Sequence, residues 1–457
     1  MSRVPTTRRR GRLAGLLLAA ALALPAGCGS GPSAAPPRPL DDGRPLVVAS
    51  GADLTTGSGA GIRSHLIDRW NADPHHRKAV LVELPWAADG QHSELVGALQ
   101  SGAADYDVVN LDITWIPEFA AAGLIRPLPD TMVDSGFLPA AAATSRWQGR
   151  TYAVPFNSDV GLLYYRTADL AEVGLKPADL GGYASVGDLL SVINQHGRPI
   201  YTTQLREYEG LTVNTLEAFW DAGADLVDAK GRYIGTDNGL RKGLEALRGL
   251  GVGGTTDQRS LDADESDSLA MFVQGKQGAG MLMRNWPYAF NRLDAGLPPG
   301  TGFGVTRLPG VAALGGQSLA VTTGSDHPDD ARELIRFLTG DSSERALLDA
   351  GLPAARTSAY DPRGITCGTP STSSVEVDRQ GGKERSAVTA AVRRRWTEVL
   401  WCALRQARAR PASTHYVPFS RVLQREAHRF LLNPTGTAEQ QAVDDLPGEL
   451  GKALGGR

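Results

Sequence analysis

Cysteine is scarce in this 457-residue chain: Cys28, Cys367 and Cys402 are all there is. No Cys-x-x-Cys and no His-Glu-x-x-His pattern occurs, so no metal site is expected. A Walker-type Gly-rich loop and a Gly-x-Ser-x-Gly elbow are missing as well. Beyond the N-terminus no apolar run reaches the roughly 20 residues needed to span a bilayer. Internal repeats are absent. Basic charge is in deficit, with 47 Lys and Arg against 50 Asp and Glu. An acidic surface argues against nucleic-acid binding, which needs a basic face.

What is present begins at the N-terminus. Arg8, Arg9, Arg10 and Arg12 precede an apolar run from Leu13 to Leu24, and Leu24-Pro25-Ala26-Gly27-Cys28 follows. Residues 1–27 therefore read as a secretory signal. Ala-Gly-Cys resembles the bacterial lipobox, whose Cys carries the lipid. Pro25 stands where that motif prefers a small aliphatic residue. Cleavage before Cys28 removes five arginines and no acid, which takes the net charge from −3 to −8. In an exported chain the remaining pair, Cys367 and Cys402, reads as a disulfide.

The 430 residues from Cys28 onward exceed one hydrophobic core and predict more than one lobe. Residues 28–44, rich in Gly, Pro and Ser, read as a flexible tether. Strands are expected at 45–49, 78–84 and 106–112, alternating with helices near 65–73, 93–102 and 115–125. That alternation predicts a mostly parallel sheet. Further on, 152–165 reads as strand, and 211–224, 239–250, 328–340 and 420–431 as helices. Residues 367–385, polar and rich in Ser, Thr and Gly, read as a surface excursion or a mobile loop.

Four stretches, YDVVNLDITWIPEFAAAGLIRPL (106–128), GRTYAVPFNSDVGLLYYR (149–166), FVQGKQGAGMLMRNWPYAF (272–290) and GGQSLAVTT through GLPAARTSAYDP (315–362), resemble the extracellular solute-binding proteins of bacterial ABC importers, family 1, trehalose/maltose type. The resemblance covers about 45–362 and resumes at 410–425. It implies an α/β, two-lobed periplasmic-binding-protein-like fold of type II, with a ligand cleft between lobes and hinge crossings. The implied first lobe is 45–155 plus 319–351, and the second is 156–318 plus 352–457. Departures are three extra residues before Asn285, Gln317 where many relatives carry Trp, and a longer 363–400.

A sugar offers vicinal hydroxyls and an apolar C–H face, so its site needs carboxylates, amides and an aromatic plate. Asp112 ends a strand, where ligands of open α/β sheets sit; a helix N-cap is the alternative. Asp159, with Asn157 and Ser158 beside it, follows the next strand; a turn or ion-pair role is the alternative. Trp286 precedes Pro287, which disfavours helical geometry there, and is the expected stacking plate. Asn285 is expected to bond ring oxygens. Trp70 and Trp220, on helical patterns, read as core. Glu265 is either a ligand or a first-turn Glu. By resemblance Arg356 reaches sugar hydroxyls; a surface ion pair is the alternative. Gln91 and His92 stand where relatives carry Gln-Arg, although a lone His is more often structural. Asp53 is a weaker candidate, and Gly316, after Gly315, allows close backbone approach or bending.

The resulting expectation is a non-enzymatic, monomeric sugar-binding lipoprotein without cofactor. It takes a di- or oligosaccharide and passes it to ABC permease subunits. An acyl anchor, palmitate among its chains, ties it to the outer face of the cell membrane. The alternatives are an envelope glycoside hydrolase using Asp112 and Asp159 as acid and base, and a sugar-sensor subunit.

Overall fold

A computed structural model describes residues 42–55, 61–102, 105–194, 200–251, 254–275, 281–298, 300–368, 374–377 and 388–456. Cys28, the expected signal and most of the expected tether lie outside the described residues. Among the described residues no helix is long and apolar enough to cross a membrane.

The first sheet grows from three parallel strands, β1 (Leu46–Gly51), β2 (Ala79–Leu84) and β3 (Val108–Asp112). The helices Ile62–Asn71 and Ala88–Ser101 connect them. These are the βαβ units read from the sequence. β3 has four buried residues in succession, as a strand covered on both faces requires. Leu66, Ile67 and Trp70 pack on one face of the sheet, and Leu95, Ile116 and Phe119 on the other.

The β4 (Arg146–Trp147) and β5 (Arg150–Thr151) pair is a small hairpin. β6 (Val154–Val160) belongs to the first sheet, while β7 (Leu162–Arg166) belongs to the second. Only Gly161 separates them, and a Cβ there would lie 2.8 Å from Glu217 Oε1 and 2.9 Å from Arg284 Nη2. The second sheet runs β12–β10–β7–β9–β8, with β8 (Tyr201–Thr202), β9 (Leu282–Asn285), β10 (Phe303–Arg307) and β12 (Ser374–Val377). Its pairs are antiparallel except β8 with β9. Among the described residues, parallel strand pairing is thus limited to β1–β3, the short β8–β9 pair and the two-residue pairing of β11 (Ala313–Val321) with β13 (Arg408–Ala409), and the expected mostly parallel sheet is confined to β1–β3. The links between the two sheets, Gly161 from β6 to β7 and residues 308–312 from β10 to β11, carry no crossover helix, and the pairs β11 makes with β3 and β6 are antiparallel.

β11 (Ala313–Val321) returns to the first sheet and pairs antiparallel with β3 on one side and β6 on the other. β13 (Arg408–Ala409) adds to its start. Ser158 N donates to Pro353 O and Asn157 bridges Ala354, which marks a third crossing beside β6. Boundaries between lobes at 155/156 and 318/319 thus fall inside β6 and β11, which lie in the first sheet and put Gln317 on the first-lobe side, and Leu352 and Ala355, beyond the limit at 351, pack in the first-lobe core; the lobe limits remain a proposal.

The second lobe is completed by helices. Glu209–Asp221, Asp237–Gly251, Tyr416–Leu432 and Gly436–Leu454 share a core around Phe219, Leu244, Phe430 and Leu446. Trp396, on the helix Ala390–Gln406, stacks on Phe290 at 4.4 Å. Cys402 on this helix is bonded to Cys367. The expected surface excursion includes strand β12, whose alternate residues Val375 and Val377 are buried against the second sheet.

Candidate functional site

β3, β6 and β11 end where the lobes meet. Gln317 on β11 is in register with Asp112 on one side and Asn157 on the other, and Gly315 pairs with Asp159. Three expected residues are thereby brought onto one backbone platform. Gly316 adopts φ +111°, and a Cβ there would lie 2.3 Å from Asn157 O, so the platform requires glycine at this position. The register of β11 with β6 shifts just after it, between Gln317 and Ser318.

Asp159 and Trp286 meet over Gly315. A Cβ on Gly315 would lie 3.2 Å from Asp159 Cβ and 3.1 Å from Trp286 Cζ3. Asn157 Nδ2 donates to Asp159 Oδ2 at 3.2 Å. Burial, then the charges of Asp53 and Asp112, push the Asp159 carboxyl up to about 7, while Arg410 and Asn157 pull it down. Trp286 follows β9 immediately. Its Nε1 lies 3.4 Å from Glu265 Oε1, and the Arg284 guanidinium sits 4.2 Å from the ring centroid. The ring is held on one side by a cation–π contact. Burial raises the Glu265 carboxyl.

Asp53 and Gln91 form the first-lobe side. Gln91 Nε2 donates to Asp53 Oδ1 at 2.8 Å and to Trp86 O, and Gln317 Nε2 donates to Asp53 Oδ2 at 3.2 Å. Burial raises the Asp53 carboxyl, against the pull of Gln91 and Arg63. Trp86, just past the carboxyl end of β2, is 47% exposed, unlike the core residues Trp70 and Trp220.

Asp112 is fully engaged. Its Oδ1 accepts from Thr114 N and Thr114 Oγ1, both at 2.8 Å. Arg410 Nη2 donates to both of its oxygens, at 2.9 and 3.0 Å. Arg410 Nη1 continues to Glu209 Oε1 at 2.6 Å. Sequence reasoning missed Arg410 and Glu209. The first was one Arg among several near the resumed resemblance at 410–425, and the second read as an ordinary residue of a helix start. A cavity of about 20 Å³, room for one water, lies between Ala88, Asp112, Trp115, Glu209, Arg410 and Tyr416. A wider open hollow of about 400 Å³ lies elsewhere on the first lobe, between Pro127, Arg150 and Arg332, and none of the expected site residues lines it.

Three expected residues are committed elsewhere. Asn285 is buried, and its Nδ2 donates to Glu265 O at 3.0 Å and to Ser268 Oγ at 3.3 Å, so it fastens the start of the helix Glu265–Gln274 rather than presenting itself to a ligand. Arg356 pairs with Asp134 at 3.0 Å, donates to Thr339 O and lies 4.0 Å over the Phe137 ring. His92 Nε2 lies 2.9 Å from Glu118 Oε2, with its ring against Trp115 and Phe119. The surface-pair and structural alternatives describe these last two. No group of His, Cys, Asp and Glu suited to a metal ion occurs among the described residues.

The pattern of the family described as bacterial extracellular solute-binding protein matches residues 73–369. A probable ABC transporter-binding protein of Deinococcus radiodurans is 29% identical over 283 residues, 58% of this chain and 66% of that protein. The chain thus spans about two thirds or less of the curated relatives it matches. Among solved structures, maltose-bound MalE3 of T. maritima superposes with a TM-score of 0.69 at 24% identity, over 89% of this chain and 98% of that one. UgpB of Mycobacterium tuberculosis with glycerophosphocholine gives 0.70 at 17% identity, over 90% and 98%. These likenesses establish the two-lobed α/β fold.

Proposed function

The chain belongs to the bacterial extracellular solute-binding protein family, and from that premise we propose that it is the substrate-binding component of an ABC sugar importer. Its ligand is a neutral di- or oligosaccharide of trehalose or maltose type, held between the lobes and delivered to a permease. A lipid on Cys28 retains it at the outer face of the membrane. Members of such a family capture solutes and do not transform them. The engagement of Asp112 by Arg410 and Thr114 also leaves that carboxylate unsuited to an acid–base pair with Asp159.

The observation that carries the reading is the meeting of Asp159 and Trp286 over Gly315. A carboxylate beside an indole matches a sugar's hydroxyl rim and C–H face. Asp53, Gln91 and Gln317 supply further polar groups from the first lobe. Neutrality follows from charge pairing. Arg284 is paired with Glu217 at 2.9 Å, Arg410 with Asp112 and Glu209, and Arg63 with Glu83 at 3.3 Å. A phosphorylated ligand would have to break one of these pairs. The maltose of the T. maritima relative agrees with this reading more closely than the phosphodiester held by UgpB.

The test is a thermal-shift screen of the mature protein against a panel of neutral and phosphorylated sugars, since a ligand that binds the folded state raises its melting temperature. Calorimetry then follows on the best sugar. Trp286→Ala and Asp159→Ala should each lower affinity more than about tenfold, as loss of a charge-assisted bond or a stacking face does. Wild-type affinity in both folded variants would place the site elsewhere.

A further inference from the structure

The bridge at Arg410 joins a side chain of one lobe to a side chain of the other. We propose that Arg410 is a closure-positioning residue: held at once by Asp112 of the first lobe and Glu209 of the second, it holds the lobes together in the arrangement described. The effect of this closure on ligand affinity rests on the sugar reading above; the closure itself does not.

Both ends of the bridge are fixed. Asp112 ends β3 and is oriented by Thr114 through two hydrogen bonds. Glu209 opens the helix Glu209–Asp221, and its carboxylate also accepts from Tyr416 Oη and Ser420 Oγ, each at 2.6 Å. Arg410 has one nitrogen on each carboxylate, a geometry that a planar guanidinium supplies and an ammonium does not. Its side chain is only 3% exposed, so salt screens the pairs weakly. Arg410 also follows β13 directly, and β13 pairs with the start of β11 at the crossing between lobes. A rotation that parts the lobes must therefore break the guanidinium's bonds on one side.

The same geometry says what removal does. Without Arg410 the carboxylates of Asp112 and Glu209 face one shared buried space. Like charges there repel, and neither retains a cation. The lobes relieve this by moving apart and admitting water. Arg356 offers a contrast, because it follows Ala355, which packs in the first-lobe core with Leu352, and its partners Asp134, Phe137 and Thr339 all belong to the first lobe. Losing it loosens one lobe without touching the relation between the two.

Small-angle X-ray scattering of the ligand-free mature protein tests this without any knowledge of the ligand. Arg410→Met and Glu209→Gln are expected to raise the radius of gyration above the wild-type value. Arg410→Lys should fail to restore it fully, and Arg356→Met should leave it unchanged while lowering the melting temperature. Glu209→Gln keeps the neighbouring hydroxyl bonds available and serves if Arg410→Met does not fold. With the best sugar from the screen, affinity should fall about tenfold in Arg410→Met, and saturating sugar should restore the compact scattering. Wild-type scattering in the folded Arg410→Met and Glu209→Gln proteins would overturn the proposal. If no sugar binds the wild type, the sugar reading fails while the ligand-free comparison still decides the role of Arg410.

Discussion

Asp159 and Trp286 come from different sheets and touch the same glycine. Gly315 lies opposite Asp159 in the β11–β6 register, and the Trp286 ring reaches it from the end of β9. The platform is narrow because a hydrogen replaces a side chain there. Gly315→Ala would insert a methyl 3.1 Å from Trp286 Cζ3 and 3.2 Å from Asp159 Cβ. The ring has to yield by a few tenths of an ångström, a crowding that typically costs about 1–3 kcal/mol. We expect lower sugar affinity with a modest loss of melting temperature, read by calorimetry and thermal unfolding. Unchanged affinity would mean that this junction is not where the ligand rests.

Asp159 gives the protein a pH signature. Its carboxyl titrates near 7 in the folded state against 3.8 ordinarily. Between these values the folded state binds more protons than the unfolded state, so stability falls as pH rises from about 4 to about 7 and levels above. Asp221, pushed to about 7 chiefly by burial, adds a slope of the same sign. Asp53, Glu209, Glu265 and Glu344, also raised chiefly by burial, act in the same direction, and Asp159→Asn removes one contribution among these. Denaturant unfolding at pH 8 should show the variant more stable, by on the order of 2–4 kcal/mol, with a flatter profile between pH 4.5 and 7. Identical slopes in the two proteins would contradict the assignment. Ionised Asp159 accepts the stronger, charge-assisted bonds, so wild-type sugar affinity should climb through pH 7.

Arg356 separates stability from binding. Its guanidinium joins Asp134, Thr339 O and the Phe137 face within the first lobe. Arg356→Ala should cost about 1–3 kcal/mol of stability, the range for a lost hydrogen bond to a charged group. Sugar affinity should stay within about twofold of wild type. A folded Arg356→Ala protein that loses binding selectively would return this residue to the ligand, as the resemblance implied.

The first lobe was legible because its signals are local. VVNLD, a short Val-rich run, has the length and composition of a buried strand, and the spacing of Leu66, Ile67 and Trp70 marks one helical face. The expectation of a parallel sheet stopped at β3, since β6 and β11 pair across long sequence separations that no window reveals. Within the site, Asp112, Asp159 and Trp286 stood out by position at strand ends. Arg410 did not, because its meaning comes from two carboxylates roughly 200 and 300 positions away. Asn285 misled for the opposite reason: adjacency to Trp286 in sequence places its side chain behind the ring's strand, in the core.

Cys28 is open to a direct test outside the described residues. The Ala-Gly-Cys end of a basic and then apolar leader motivates lipidation there. Cys28→Ser should move the protein from the membrane fraction to the soluble fraction, because among the described residues no helix can cross a bilayer. Membrane retention equal to wild type, assayed by fractionation and immunoblot, would require another anchor.

The last prediction concerns the bond between Cys367 and Cys402, which are 35 residues apart. Cys402 is buried on the helix Ala390–Gln406, beside Trp401 and Leu404, and the loop that the bond closes contains strand β12. Closing a loop of this length restricts the unfolded chain and stabilises by about 3–4 kcal/mol on the chain-entropy account. A Cys367→Ser, Cys402→Ser protein should therefore unfold at lower denaturant concentration by about that amount. Its sugar affinity should be unchanged, because the bond ties the edge of the second sheet to its covering helix and does not reach Asp159 or Trp286. Peptide mapping of the non-reduced exported protein should recover the two cysteines in one linked species. Free thiols at both positions, or a double variant as stable as wild type, would show that the second lobe holds this edge by packing alone.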